Sequence, residues 1–197
     1  MTAIKRNILV QLLVIIIVGI SLYINMLTID VFHWYDKSVI QNNFIIRQSI
    51  NPKEIFQAFN TRFIPGWSYA LNAHFTGMGI LGFRIFNLFI HILTSLAVFC
   101  FAKITLVSPH MKKNPSFKNS EAIPLIAGLL FVSHPIQTES LNLITQRFTL
   151  IAVFFYVTSL CLYAAARIKN SKPLYCLSFL TTICAMFSKE FCFTLPL

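Results

Sequence analysis

The sequence predicts an all-α polytopic membrane protein with about five transmembrane helices and a long first extracytoplasmic loop that contains short interfacial helices. Three observations carry this. Hydrophobic residues make up 56% of the chain and charged residues 11%, where a soluble domain has roughly half and a quarter. The apolar residues come in long unbroken runs, and the basic residues that give a net charge of +10 stand between those runs. Such a charge raises nucleic acid as a partner, but no basic stripe interleaved with aromatics and no nucleic-acid motif accompanies it. The expected surroundings are a lipid bilayer, with no nucleic acid.

The first helix is expected near 8–29, after Lys5 and Arg6. It is too long for the apolar region of a secretory signal, roughly 7–15 residues, and it runs through Leu22, Tyr23, Met26 and Leu27 without a small-residue cleavage site. About 20 helical residues cross a hydrocarbon core of about 30 Å. Further helices are expected near 81–105, 122–133, 148–167 and 174–187, all in one transmembrane module spanning 1–197. The run 122–133 is short for a span, so it is expected to begin earlier, to continue past Pro135 or to enter the bilayer obliquely.

Basic residues orient the module. Lys5 and Arg6, then Lys103, Lys112, Lys113 and Lys118, then Arg167, Lys169 and Lys172 form three clusters that the positive-inside rule assigns to the cytoplasm. The loop 106–121 is therefore cytoplasmic, while 30–80, 133–147 and the end from Ser188 are extracytoplasmic. Every acidic residue except Glu121, beginning with Asp30, falls on that outer side. Within the outer loop, Asn51-Pro52 reads as a helix start, with Asn51 as cap and Pro52 at the first position. Phe56, Phe59 and Phe63 suit a helix along the membrane surface, Pro65-Gly66 reads as a turn, and Gly77, Gly79 and Gly82 loosen the approach to the second helix. Cys100, Cys161, Cys176, Cys184 and Cys192 show neither a C-x-x-C pair nor zinc spacing and read as small buried apolar residues. No internal repeat is visible, and Phe193-Thr194-Leu195-Pro196-Leu197 reads as the opening of a further helix, so the chain is expected to be an N-terminal fragment.

Four clusters carry candidate chemistry on the outer side. In Phe32-His33-Trp34-Tyr35-Asp36-Lys37, Asp36 is placed to act as general base or to be a solvated residue beside an aromatic belt. Arg84, Asn87 and His91 recur on one face of the second helix, where they hydrogen-bond between helices or wall a site. His134-Pro135 with Glu139 lies near a membrane boundary, and Arg147 is expected either to pair with Glu139 or to bind phosphate. Ser188-Lys189-Glu190 follows an apolar run directly, as site or as helix-end anchor.

In that order, Tyr35-Asp36 with Asn42-Asn43, Arg62 with Tyr69 and Asn72, Phe83-Arg84-Ile85-Phe86-Asn87-Leu88-Phe89-Ile90-His91, His134-Pro135 with Glu139 and Arg147, and Ser188-Lys189-Glu190 with Pro196 resemble the transmembrane and tetratricopeptide-repeat O-mannosyltransferases and their bacterial relatives, of the GT-C superfamily. The resemblance runs from about Asp30 to the last residue, and the His-Pro-x-x-x-Glu and Ser-Lys-Glu elements are its most specific part. It implies a GT-C-like N-terminal module that transfers a sugar from a polyprenyl-phosphate carrier to a protein or glycan hydroxyl at the extracytoplasmic face. It further implies Asp36 as the base, with Arg62, Arg84, His91, His134, Glu139, Arg147, Lys189 and Glu190 around substrate and lipid phosphate. Lys37 replaces the second acid that the family carries, a departure that bears on the strength of the base. Cofactor need stays open: Asp36, Glu139 and Glu190 supply oxygen ligands for a divalent cation only if they converge. The competing reading is a transporter or channel subunit with Arg84, His91, Glu139 and Arg147 along a path, and behind it a non-catalytic membrane scaffold.

Overall fold

The computed structural model describes residues 2–28, 31–112 and 122–195. The side chains of Lys5, Arg6 and Lys112, and residues Asp30, Lys113, Lys118, Glu121, Pro196 and Leu197 altogether, lie outside the described residues. Among the described residues every regular element is helical: α1 (Thr2–Tyr23), α2 (Trp34–Asp36), α3 (Phe44–Gln48), α4 (Pro52–Phe59), α5 (Phe63–Thr76), α6 (Ile80–Val107), α7 (Pro109–Lys112), α8 (Ala122–Ser133), α9 (Gln137–Asn142), α10 (Arg147–Lys169) and α11 (Lys172–Met186). A 3-10 segment, Ile24–Thr28, extends α1.

Three stretches are long and apolar enough to cross a bilayer: Ile8–Thr28, Ile80–Val107 and Ile144–Lys169. The expected five-span count meets a length limit in the other two. Ala122–Ser133 has 12 residues and Lys172–Met186 has 15, which at 1.5 Å per residue reach about 18 and about 22 Å, short of about 30 Å. α8 stops at Ser133 and is not continued past Pro135. Outward faces of the long helices carry bare apolar side chains, Leu9, Leu13 and Ile17 on α1 and Ile85 and Phe89 on α6 among them. In a bilayer those faces meet lipid tails.

Helix α6 is central, packing against α1, α8 and α10, and α11 leans on α10. Small residues let these backbones approach. A Cβ on Gly128 of α8 would meet Ile15 of α1 at 2.6 Å and the Ser95 carbonyl of α6 at 3.4 Å. Tyr23, Met26, Leu88, Ile92, Leu150 and Ile151 fill the interior between α1, α6 and α10.

The segment between α1 and α6 is helical almost throughout. Asn51 caps α4 by accepting from the Lys53 N–H at 3.1 Å, with Pro52 at the helix start as the sequence predicts. Pro65-Gly66, expected as a turn, instead lies in the first turn of α5, where a proline's missing N–H has no intrahelical partner to lose. Gly66 is the seat of the Phe59 ring, which leaves no room for a Cβ. Gly77 ends α5 at φ 73°, a conformation that favours glycine. The cysteines are all free, but Cys100 and Cys176 stand on exposed helix faces, contrary to the expected burial, because each lies on the side of its helix turned away from the neighbouring helices. Cys161 and Cys192 are buried as expected.

Candidate functional site at one end of the bundle

Long-range hydrogen bonds gather the ends of α1, α8 and α11 and the starts of α5, α6 and α10. The Tyr23 hydroxyl donates to the Val132 carbonyl at 3.1 Å, Asn87 Nδ2 to Ile144 at 3.3 Å, and the Ile64 N–H to Phe187 at 3.1 Å. All nine candidate residues sit at or near this end, in two kinds of surroundings.

Four are buried. Asp36 is fully enclosed, and its carboxylate accepts from the N–H groups of Ile144 (3.1 Å) and Thr145 (2.9 Å) and from the Thr145 hydroxyl (2.9 Å). It clamps the segment after α1 onto the segment leading into α10. Three of the carboxylate's four lone-pair sites are thereby occupied and the side chain is fully buried, so in this arrangement Asp36 is an anchor out of reach of an incoming hydroxyl.

Arg147 is equally enclosed. Its Nε donates to Asn87 Oδ1 at 2.8 Å, and its terminal nitrogens donate to Asn72 Oδ1 (2.8 Å), the Phe83 carbonyl (2.9 Å) and the Ser68 carbonyl (3.2 Å). The rings of Phe86, Tyr69 and Phe83 pack on the guanidinium at 4.3, 4.5 and 5.3 Å. With no carboxylate partner among the described residues, this buried cation persists because neutral oxygens and aromatic faces replace its water. The expected pairing with Glu139 is absent: the guanidinium fork is turned inward, while Glu139 lies exposed on α9. Tyr69 bridges the two buried groups by donating to the Ile144 carbonyl at 2.8 Å. Burial pushes its phenol well above the ordinary range, with Arg147 opposing and Asp36 adding to the shift, so Tyr69 remains a donor.

Arg84 reaches back to the carbonyls of Met26 (2.8 Å) and Val31 (3.3 Å), fastening the exit of α1 to α6. His91 lies fully buried between Tyr23, edge-on at 5.5 Å, and Phe131, stacked at 5.5 Å.

The other five are accessible in varying degree. Arg62 and Glu190 form a two-pronged ion pair at 2.8 and 3.2 Å, with their side chains 43% and 51% exposed. The hydrogen bond from Arg62, more than its bare charge, holds the Glu190 carboxyl below its ordinary range. Lys189 donates to the Thr149 hydroxyl at 2.7 Å, and Arg62 also lies 5.5 Å from the centre of the Phe148 ring. Arg62 and Lys189 thus flank adjacent residues at the start of α10. His134 and Glu139 stand exposed around α9, with His134 Nδ1 accepting from the Ile136 N–H at 3.3 Å. Among the described residues no three His, Cys, Asp or Glu side chains converge as metal ligands, so Asp36, Glu139 and Glu190 do not form a cation site.

Sequence reasoning passed over Thr145 and Thr149, which flank Gln146-Arg147 and contact Asp36 and Lys189. Hydroxyls two positions either side of an Arg at the start of an apolar run were the available signal. Comparison of the chain with known protein families, with characterised proteins and with solved structures returns no match.

Proposed function

We propose that this chain is the membrane module of a GT-C-type glycosyltransferase that moves a sugar from a polyprenyl-phosphate carrier to a protein or glycan hydroxyl. In this reading α8 and α11 complete a five-helix module, the basic clusters face the cytoplasm, and the gathered end is extracytoplasmic. The membrane is the plasma or inner membrane of a bacterium or the endoplasmic reticulum of a eukaryote.

The observation that carries the reading is the placement of Arg62 and Lys189 side by side over Phe148 and Thr149, where a membrane-crossing helix begins. A polyprenyl phosphate needs cations at headgroup depth and an apolar flank below them. A guanidinium already held in fork geometry by Glu190 can pass its donors to a departing phosphate, with Lys189 adding a second positive charge. Glu139, exposed between Gln137 and Ser140 on α9, is the carboxylate open to an acceptor hydroxyl. Asp36 and Arg147 then build the platform rather than perform the reaction, and a base role for Asp36 requires the Ile144–Thr145 segment to release it. The transporter reading loses its strongest support because the Arg147 donors are directed at Asn87, Asn72, Ser68 and Phe83 and not along a path.

The test is sugar transfer from a labelled polyprenyl-phosphate sugar in membranes containing the longest available gene product, against its Lys189→Gln and Glu139→Gln variants. Expected is a loss of at least tenfold in each variant with unchanged membrane insertion. Equal transfer by variants and parent would remove these residues from the site, and no transfer by any of them across several sugars, with acceptor supplied, would sink the glycosyltransferase reading.

A further inference from the structure

At the end of the bundle opposite the gathered residues, α6 and α10 finish side by side and leave a groove of about 280 Å³ between them. Ile104 and Val107 of α6 and Ala165 and Ile168 of α10 wall it, and one lysine from each helix, Lys103 and Lys169, completes the lining. Val107 and Ile168 are each 42% exposed, so the trough is apolar and open. Apolar surface left open between two spanning helices is suited to a hydrocarbon chain. The volume is near the roughly 300 Å³ at which small-ligand pockets begin, room for the neck of a lipid whose chains run on over the helix faces.

Two contacts fix the depth of this groove. α6 and α10 run parallel, with Asn87 meeting Arg147 near their starts and the Cys161 thiol donating to the Ala97 carbonyl further along. Counted from that second contact, Lys103 is six residues on and Lys169 eight, about 9 and about 12 Å along their axes. The two ammonium groups therefore leave their helices at nearly one level. α10 supplies a second ruler: Thr149, which receives Lys189, and Lys169 are twenty residues apart, about 30 Å, the thickness of a hydrocarbon core. With the Lys189 level in one headgroup layer, the groove opens in the other.

The charge at this level is unbalanced. Neither lysine has a carboxylate partner among the described residues, whose four acids, Asp36, Glu54, Glu139 and Glu190, belong to the segments of the other end. Lys103 folds back one turn along α6 and holds Nζ 5.8 Å from the centre of the Phe99 ring, a contact that positions the cation without neutralising it. The C-termini of α6 and α10 each bring about half a negative charge, so the two ammonium groups leave about one positive charge over.

We propose that this groove seats one anionic glycerophospholipid, with its phosphodiester between Lys103 and Lys169 and a chain along Ile104, Val107 and Ile168. A phosphodiester under an uncharged headgroup carries one negative charge, the complement of the one left over, and basic pockets between spanning helices favour such lipids. A choline or ethanolamine headgroup brings its own cation, for which no described carboxylate is at hand. A free phosphate would leave the apolar walls in water. The hollow on the other flank of α10, lined by Arg167, Asn170, Lys172 and Tyr175 among others, shares the charge but not the apolar trough. Such a lipid is held whether or not the chain transfers sugar, because the Lys189 level lies about 30 Å away in the other headgroup layer.

The experiment uses the full chain in a neutral detergent, titrated with phosphatidylglycerol and, separately, with phosphatidylcholine of the same chains, the retained lipid being counted by native mass spectrometry. Expected is one tightly held phosphatidylglycerol with no matching phosphatidylcholine. At about fivefold for each lysine, Lys103→Gln combined with Lys169→Gln should lower phosphatidylglycerol affinity about 25-fold. Ala165→Leu fills the trough without changing charge and should lower it about fivefold or more, with helicity and membrane insertion as in the parent. Arg167→Gln combined with Lys172→Gln removes two charges from the other flank of α10 and should leave it within about threefold. Equal retention of the two lipids overturns the proposal. Equal losses in the two paired variants would do the same, by making the attraction a diffuse property of a basic surface, and so would indifference to Ala165→Leu. Glycerophosphoglycerol, the headgroup without its chains, should fail to compete; competition at the lipid's own concentration would hand the lysines to a soluble phosphate and defeat the lipid assignment.

Discussion

Arg147 and Arg62 are both arginines at the same end of the bundle, both in contact with aromatic rings, and both bonded through their forks, yet their surroundings give them opposite roles. Arg147 is wholly enclosed and its partners are neutral oxygens from α5 and α6. Arg62 is 43% exposed and its partner is a carboxylate that is itself half in solvent. The first makes contacts that water cannot replace if they are lost, and the second makes contacts that water, salt or a phosphate can take over. Strength and availability are therefore divided between two regions: a buried frame of Asp36, Tyr69, Asn87 and Arg147, and an exchangeable rim of Arg62, Lys189 and Glu190.

The sharpest way to break this contrast is to remove the buried guanidinium. Arg147→Met should cost about 3–5 kcal/mol, because it strands the buried Asn87 and Asn72 amide oxygens without a donor and removes the second hydrogen bond that the Ser68 and Phe83 carbonyls accept beyond their helices. Arg62→Ala should cost less than about 1 kcal/mol. Both are read by thermal unfolding in nanodiscs with a thiol-reactive dye. With the exposed Cys100 and Cys176 replaced by alanine in every variant, burial keeps the Cys192 thiol protonated, its pKa pushed up to about 11, so the dye reports opening rather than the native fold. Equal shifts for the two arginine variants would erase the distinction.

Asp36→Asn probes the frame from its other side. The amide keeps one acceptor oxygen but turns an NH₂ toward backbone N–H donors, and a loss of about 1–3 kcal/mol is expected, with faster proteolysis after Lys37. A fully stable Asp36→Asn variant would show the carboxylate to be a free group and reopen its role as base. A smaller effect should come from Asn43→Ala, which removes the cap accepting from Ile45 and Ile46 at 3.0 and 3.3 Å and should cost about 1 kcal/mol.

Much of this division was legible in the sequence, but only to the level of faces. Arg84, Asn87 and His91 at intervals of three and four had to look inward from α6, and all three are buried. Asn51-Pro52 announced the start of α4 because capping is local chemistry. Which way Arg147 points was not legible. The alternatives, Glu139 eight residues before it or α5 and α6 far behind it, differ only in how α10 is set against its neighbours. Asp36 reads as a loop carboxylate for the same reason, since its three donors come from residues more than a hundred positions later. Pro65-Gly66 misleads because the pair is equally at home in a turn and in the first turn of a helix, and the Phe59 ring over Gly66 decides for the helix.

The smallest expected effect tests the rim through pH and salt. Glu190 has its folded pKa lowered, chiefly by the hydrogen bond from Arg62, so the pair contributes stability that is fully present above the carboxyl's unfolded value. That contribution is lost as pH falls through the lowered folded value, that is, in the acid range below ordinary carboxylates. Exposure keeps it under about 1 kcal/mol, and raising the ionic strength should shrink it further. Glu190→Gln should thus match the parent's stability at low pH and fall slightly below it near neutrality, while Arg147→Met stays destabilised at every pH and salt concentration. If the rim is the exchangeable part of the site, an alkyl phosphate should also narrow the gap between Glu190→Gln and its parent, because the anion offers Arg62 the partner that the variant removed. A Glu190→Gln deficit that ignores pH, salt and phosphate alike would place Glu190 in the frame and leave Lys189 as the rim's only ready cation.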